Sequence, residues 1–271
     1  MTIGIIGCGL IGGSIGLAAR SNGHRVLGFD LESTHGAVAL ERGCVDEMTT
    51  FEEVAKSDIV FLCVPPSAVV SVAGALRSQK GPDTIVTDCT SVKGPIVRWL
   101  SSAFDPQFVP GHPMAGHEKS GPKFSSGWMF RGATWILTPT PKTSKQALKG
   151  LENLVSEFGA KCVRVDADRH DYEVALMSHL PHAIAAALVQ MAAPLDSTDA
   201  SGGSWRDLTR VGGVDPGLWS QILIANGEPV VQVLDDFKSR INSLQEALKH
   251  QDIEAVKEFF LEAQKAKAKQ R

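Results

Sequence analysis

The segment Ile3-Gly-Ile-Ile6-Gly7-Cys-Gly9-Leu10-Ile11-Gly12 constrains this chain more than any other. An apolar run of strand type ends directly in a Gly-x-Gly-x-x-Gly turn and passes into a helical pattern. In such a unit Gly7 permits the tight turn. Gly9 lets a pyrophosphate approach the backbone, and Gly12 lets helix and strand pack closely. The amides of Leu10 and Ile11 at the helix start, aided by the helix dipole, can bind the anion. A glycine turn in an empty α/β fold gives the same letters, so the rest of the chain has to decide.

The next 150 or so residues repeat the opening pattern. Short runs of strand type are expected at Ile3–Ile6, Val26–Asp30, Ile59–Val64, Thr84–Asp88, Phe108–Pro110, Thr134–Leu137 and Cys162–Val165. Most are almost wholly apolar rather than alternating, as parallel strands covered on both faces require. Helices are expected between them at Leu10–Ser21, Ser33–Arg42, Ser67–Arg77, Lys93–Ser102 and Ser144–Phe158. The fold class is therefore α/β: a Rossmann-like, doubly wound, mainly parallel sheet over residues 1–165. From 166 to 271 the strand-like runs give way to 3.6-residue periodicity (His179–Met191, Leu218–Leu248, Asp252–Lys267), and an all-α domain is expected, with Asp196–Gly203 as a loop. Apolar positions around Val230–Leu248 exceed what one small domain needs, which predicts a homodimer formed through the helical domain.

Composition excludes several classes. The 271 residues are 43% hydrophobic and 21% charged, with a net charge of −3. No basic stripe offers itself to nucleic acid; the one basic run, Lys265–Arg271, reads as a solvated helix end. No apolar stretch looks long enough, at roughly 18 residues, to cross a membrane. Met1 leads into the first strand without the basic n-region of a leader. The five cysteines, Cys8, Cys44, Cys63, Cys89 and Cys162, form no CxxC pair or zinc spacing, and the cytoplasm is the expected compartment.

Polar residues at strand ends define the expected crevice. Asp30 lies 18 residues beyond Gly12, where a carboxylate can bond both ribose hydroxyls of NAD and repel the 2′-phosphate of NADP; Glu32 adds to the repulsion. NAD is favoured over NADP, and helix capping is the other reading of Asp30. Cys63, Val64 and Pro65 end a strand on the same edge, as does Asp88, and all four are expected against the nucleotide. Ser91 and His112 follow two further strands. A Ser and a His beside a nicotinamide can hold a hydroxyl under oxidation, with His as proton acceptor near neutral pH.

Five segments in order, GCGLIGGS at 7–14, TDCTSVK at 87–93, GHPMAGHEKSG at 111–121, SHLPH at 178–182 and WRDLTRVGG at 205–213, resemble the prephenate/arogenate dehydrogenase family of tyrosine biosynthesis over nearly the whole chain. The resemblance implies oxidative decarboxylation of prephenate or arogenate with hydride transfer to NAD. It implies that His112 accepts the proton of the ring hydroxyl, that Ser91 holds both that hydroxyl and His112, and that Arg210 grips a substrate carboxylate. It also places His179, His182 and Trp219 of the helical domain, and Glu118, around the substrate. His117 departs from the small residue common at its position. It adds a titratable group at the pocket, and the choice between prephenate and arogenate stays open.

Other readings remain. His179 and His182, three apart, suit a metal or a satisfied core, but no Cys or third His has matching spacing and no metal is expected. Trp219 equally suits a core, and Arg210 a surface ion pair. A β-hydroxyacid dehydrogenase would share both domains, but would place a lysine where the helix around Ser178–Met191 carries histidines. A non-catalytic NAD-sensing module would have a decayed crevice.

Overall fold

A computed structural model of the chain describes residues 1–117, 119–195 and 199–269. Two compact units divide at Asn226/Gly227, so the expected division after residue 165 falls inside the first.

The first unit opens with strand β1 (Thr2–Ile6), helix α1 (Leu10–Ser21), β2 (Arg25–Phe29), α2 (Ser33–Glu41), β3 (Glu47–Met48), α3 (Phe51–Ala55), β4 (Ile59–Leu62), α4 (Pro66–Arg77), β5 (Ile85–Asp88) and α5 (Gly94–Phe104). The five strands form one parallel sheet in the order β3-β2-β1-β4-β5. The chain winds outward from β1 to β3, then returns to the other side of β1. The switch point therefore lies between β1 and β4, where a ligand crevice forms at the carboxyl ends. Successive residues of the central strands enter opposite cores: Ile3, Ile5, Ile59 and Phe61 pack on one face, and Ile6, Val60 and Leu62 on the other. Burial on both faces explains the unbroken apolar runs, each such side chain contributing roughly 1.5–3 kcal/mol. The short β3 and α3 left no periodicity to detect; α3 is set by its cap, Thr50 Oγ1 accepting from Glu53 N–H at 3.3 Å.

A smaller sheet follows, from β6 (Gly111–Pro113), β7 (Thr134–Leu137) and β8 (Lys161–Arg164), with α6 (Lys145–Glu157) between the last two. β6 runs antiparallel to β7, which is parallel to β8. The strand expected at Phe108–Pro110 is displaced: Phe108 makes only an isolated bridge to Val86. The next N–H toward β5, that of Gly111, goes to the Asp88 side chain (3.4 Å, to Oδ1), and regular pairing from Gly111 is with β7, opposite Leu137.

The first unit closes with α7 (Ala167–Val174), a π-helical turn (Ala175–His179), α8 (Leu180–Ala192), α9 (Gly203–Thr209) and α10 (Pro216–Ala225). Asp166 caps α7, accepting from Asp168 N–H at 3.0 Å and Arg169 N–H at 3.3 Å. The π turn lies just ahead of Pro181, which has no N–H to give a regular helix. Against expectation, the continuous helical stretch Ala167–Ala192 is, by length and composition alone, apolar enough to cross a membrane. Its charged first half holds the buried His170, Asp171 and His179.

The second unit, Gly227–Arg271, is a hairpin of α11 (Gly227–Lys249) and α12 (Ile253–Lys269). Its turn uses Gln251 at φ 52° and a bond from Asp252 N–H to Ala247 O of 2.9 Å. The single helix expected over Leu218–Leu248 is thus broken at Asn226.

Candidate active site

The glycine loop has the shape a nucleotide needs. A Cβ on Gly7 (φ 96°) would lie 2.5 Å from Cys63 O, and one on Gly12 would collide with Gly7 O, whereas one on Gly9 meets nothing within 4 Å. Gly7 and Gly12 are therefore small for packing, and Gly9 leaves open the side from which a phosphate can approach. Gly9 is the N-cap of α1 and has no capping side chain. The first in-helix bond is made by Gly13 N–H to Gly9 O at 2.8 Å, leaving the amides of Leu10, Ile11 and Gly12 without helical acceptors. Asp30 ends β2 with its carboxylate fixed by Cys8 N–H (2.7 Å, to Oδ2) and Glu32 N–H (2.8 Å, to Oδ1). It is not the N-cap of α2, which is Glu32. These features fit a dinucleotide. Cys63 and Val64 pack against Gly7 at the switch point, and Pro65 is the N-cap of α4.

Asp88 requires a correction. Expected against the cofactor, it is fully buried and committed to internal partners. Its Oδ2 accepts from the hydroxyl of Thr90, from Lys93 Nζ and from Thr90 N–H (3.0 Å), while Gly111 N–H approaches Oδ1 at 3.4 Å. Lys93, also fully buried, donates in addition to Gly111 O at 2.7 Å. This pair ties the end of β5 to the start of β6, one residue before His112.

His112 is buried, and its Nδ1 lies 2.9 Å from His170 Nε2. His170 Nδ1 lies 2.8 Å from Asp171 Oδ1. Asp171 also accepts from the amides of Lys93 (Oδ1) and Gly94 (Oδ2), each at 2.7 Å, and so caps α5 from α7. Asn226 Nδ2 donates to Asp171 O (2.8 Å) and to His179 Nδ1 (3.1 Å). Burial above all, with His170, Lys93 and His179 close by, pushes His112 well below the usual histidine range. His179 is pushed down to about 4, chiefly by burial, with Asp171 opposing.

Of the residues expected around the substrate, the structure brings His179, His182 and Trp219 together. The His182 and Trp219 rings stack with centroids 3.8 Å apart, and His179 meets Trp219 edge-on at 6.0 Å. His182 Nδ1–H donates to Ser178 O at 2.8 Å. Burial lowers the pKa of His182, Ser178 O opposes, and Arg210 lowers it further. Arg210 itself is exposed at the end of α9. Ser91 is half-buried after β5; the partner of His112 Nδ1 is His170 and not Ser91. His117 is exposed and stacks on Phe124 with centroids 6.0 Å apart. Glu118 lies outside the described residues. Sequence reasoning missed His170, Asp171, Lys93 and Asn226. The only local signal was a His-Asp pair in the first turns of a helix.

Residues 15–164 match the family described as prephenate dehydrogenase, nucleotide-binding domain, and residues 166–262 match the prephenate dehydrogenase dimerization domain. A cyclohexadienyl dehydrogenase from Zymomonas mobilis is 33% identical, with 98% of this chain and 94% of that protein covered. Among solved structures, Aquifex aeolicus prephenate dehydrogenase in complex with hydroxyphenyl propionate and NAD+ is similar at 32% identity and TM-score 0.89, covering 100% of this chain and 98% of that one. Synechocystis arogenate dehydrogenase is similar at 29% identity and TM-score 0.85, with both chains covered in full. On these matches the chain belongs to the prephenate dehydrogenase family.

Proposed function

We propose that this chain catalyses the NAD-dependent oxidative decarboxylation of prephenate or arogenate, giving 4-hydroxyphenylpyruvate or tyrosine. The observation that carries this reading is His112, buried in the strand that Lys93 ties to the end of β5, with His170 against its Nδ1. The loop Gly7–Gly12 and Asp30 would hold NAD, which supplies the hydride acceptor when bound. His112 takes the proton of the ring hydroxyl at Nε2, its Nδ1 side being occupied by His170. Ser91 holds the same hydroxyl. Arg210 binds a substrate carboxylate, and His179, His182 and Trp219 wall the helical side of the pocket. The ring carboxylate leaves as CO2 as the ring becomes aromatic.

Formation of NADH or NADPH, followed by absorbance with each cofactor against prephenate and against arogenate, tests the function and selects the substrate. Turnover with neither substrate overturns it. Arg210→Gln should raise the substrate KM about tenfold to a hundredfold, the loss of a charged hydrogen bond worth roughly 1.5–3 kcal/mol; an unchanged KM would return Arg210 to the surface. Asp30→Ser should shift the ratio of kcat/KM values toward NADP by at least about tenfold, ~1.4 kcal/mol. If the ratio stays put, another group reads the ribose.

The helical segment supports a homodimer. Met177, Met191 and Ile224 are 72%, 76% and 83% exposed, apolar side chains that a partner could cover, and the family match there is to a dimerization domain. A monomeric mass in solution would refute this. Five free cysteines fit the cytoplasm.

A further inference from the structure

We propose that His170 and Asp171 are positioning residues that hold His112 as the Nδ1–H tautomer, leaving Nε2 as the basic nitrogen of that ring. The inference rests on the reading of His112 as proton acceptor and adds the two residues that act through it.

The argument follows from donor and acceptor counting. Each Asp171 oxygen already accepts a backbone N–H, at 2.7 Å from Lys93 and from Gly94. Those amides belong to the start of α5, where the helix dipole favours a negative charge. A carboxylate can only accept, so its 2.8 Å contact with His170 Nδ1 is a donation from the ring. With Nδ1 protonated, a neutral His170 has only a lone pair left on Nε2. That lone pair lies 2.9 Å from His112 Nδ1, so His112 must donate there. Protonation of His112 Nδ1 leaves Nε2 with its lone pair. All three groups are buried, at 9%, 0% and 5% exposure for His112, His170 and Asp171, so water does not scramble the pattern.

The same chain of bonds serves the reaction. When His112 Nε2 takes the hydroxyl proton, the ring becomes cationic in a buried site, where burial and Lys93 oppose the charge. The proton remains on His112. Its Nδ1–H bond to His170 strengthens, and through His170 the Asp171 carboxylate stabilises the new charge. Placing an acid behind a basic imidazole is known to matter more through tautomer than through distance; here a second imidazole stands between the two.

The test uses the full-length protein labelled with 15N in histidine, with His112 assigned by comparison with His112→Asn. At neutral pH, wild-type His112 should show a protonated Nδ1 and an unprotonated Nε2. The opposite pattern overturns the proposal without any variant. In His170→Phe the Nδ1–H signal should fall as the Nε2–H tautomer grows, and kcat should drop about 10²-fold or more, with KM and NAD affinity changed less than about threefold. His170→Gln, whose amide oxygen can still accept from His112 Nδ1, should keep the wild-type tautomer and recover at least tenfold of the lost kcat. An unmoved tautomer in His170→Phe, or a moved tautomer with wild-type kcat, overturns the proposal. Failure of the underlying reading has a different signature: His112→Asn would then turn over normally, whatever the His170 variants do.

Discussion

His112→Asn is expected to lower kcat by about 10²–10⁴-fold, the range a positioned proton acceptor supplies, while NAD affinity stays near its wild-type value. Asparagine can still donate to His170 from its amide, so the buried contact survives, but it has no basic lone pair. The wild-type pH profile follows from the same surroundings. Burial above all, with His170, Lys93 and His179 close by, depresses the His112 pKa well below the usual histidine value. The active, neutral form is therefore fully populated at neutral pH, and activity is lost only as pH falls well below 6.5. Stability moves the same way. An unfolded His112 binds a proton near pH 6.5 where the folded one does not, so the fold weakens as pH falls below that value. A wild-type rate that falls by half near pH 6.5 would place the titrating base elsewhere, and a variant with unchanged kcat would remove His112 from the reaction.

Lys93→Met should destabilise the protein by about 3–5 kcal/mol, the cost of leaving one partner of a buried ion pair uncompensated. Both side chains of the Asp88–Lys93 pair are fully inaccessible, and Lys93 Nζ also serves Gly111 O. Methionine fills similar volume, so the loss measures charge rather than a cavity. The double variant Asp88→Asn with Lys93→Met removes the orphaned carboxylate and should recover much of the difference. Denaturant unfolding of the three proteins checks both statements. A loss under 1 kcal/mol for Lys93→Met alone would mean that Asp88 reaches water or takes up a proton at little cost.

The nucleotide-binding half was legible because its physics is local. A strand buried on both faces has to be apolar at every position, and the spacing of Gly7, Gly9 and Gly12 is dictated by contacts within one turn. α1 was accordingly read to the residue. Other features depended on partners distant in sequence. Asp88 looked like a crevice acid because it ends a strand; only the fold shows Lys93 turning back on it. His170 and His112 are separated by 58 residues, and nothing in their neighbourhoods says which of the chain's histidines meets which. The break at Asn226 was illegible for a similar reason. Apolar periodicity runs straight through it, while the side chain that interrupts the helix is fixed by Asp171 and His179, about 50 residues earlier.

The π-helical turn at Ala175–His179 has an angular consequence. At 3.6 residues per turn, the nine steps from His170 to His179 amount to two and a half revolutions, and a regular helix would aim the two rings in opposite directions. A π turn spends one additional residue on its revolution, which takes back roughly a quarter of a circle. His170 and His179 then lie roughly a quarter turn apart rather than opposite, and Asn226 bridges the Asp171 carbonyl and the His179 ring. One residue of surplus length thus sets the phase of the whole histidine cluster. A chain shortened by one residue here would form a more regular helix and would swing His179 out of register with His112.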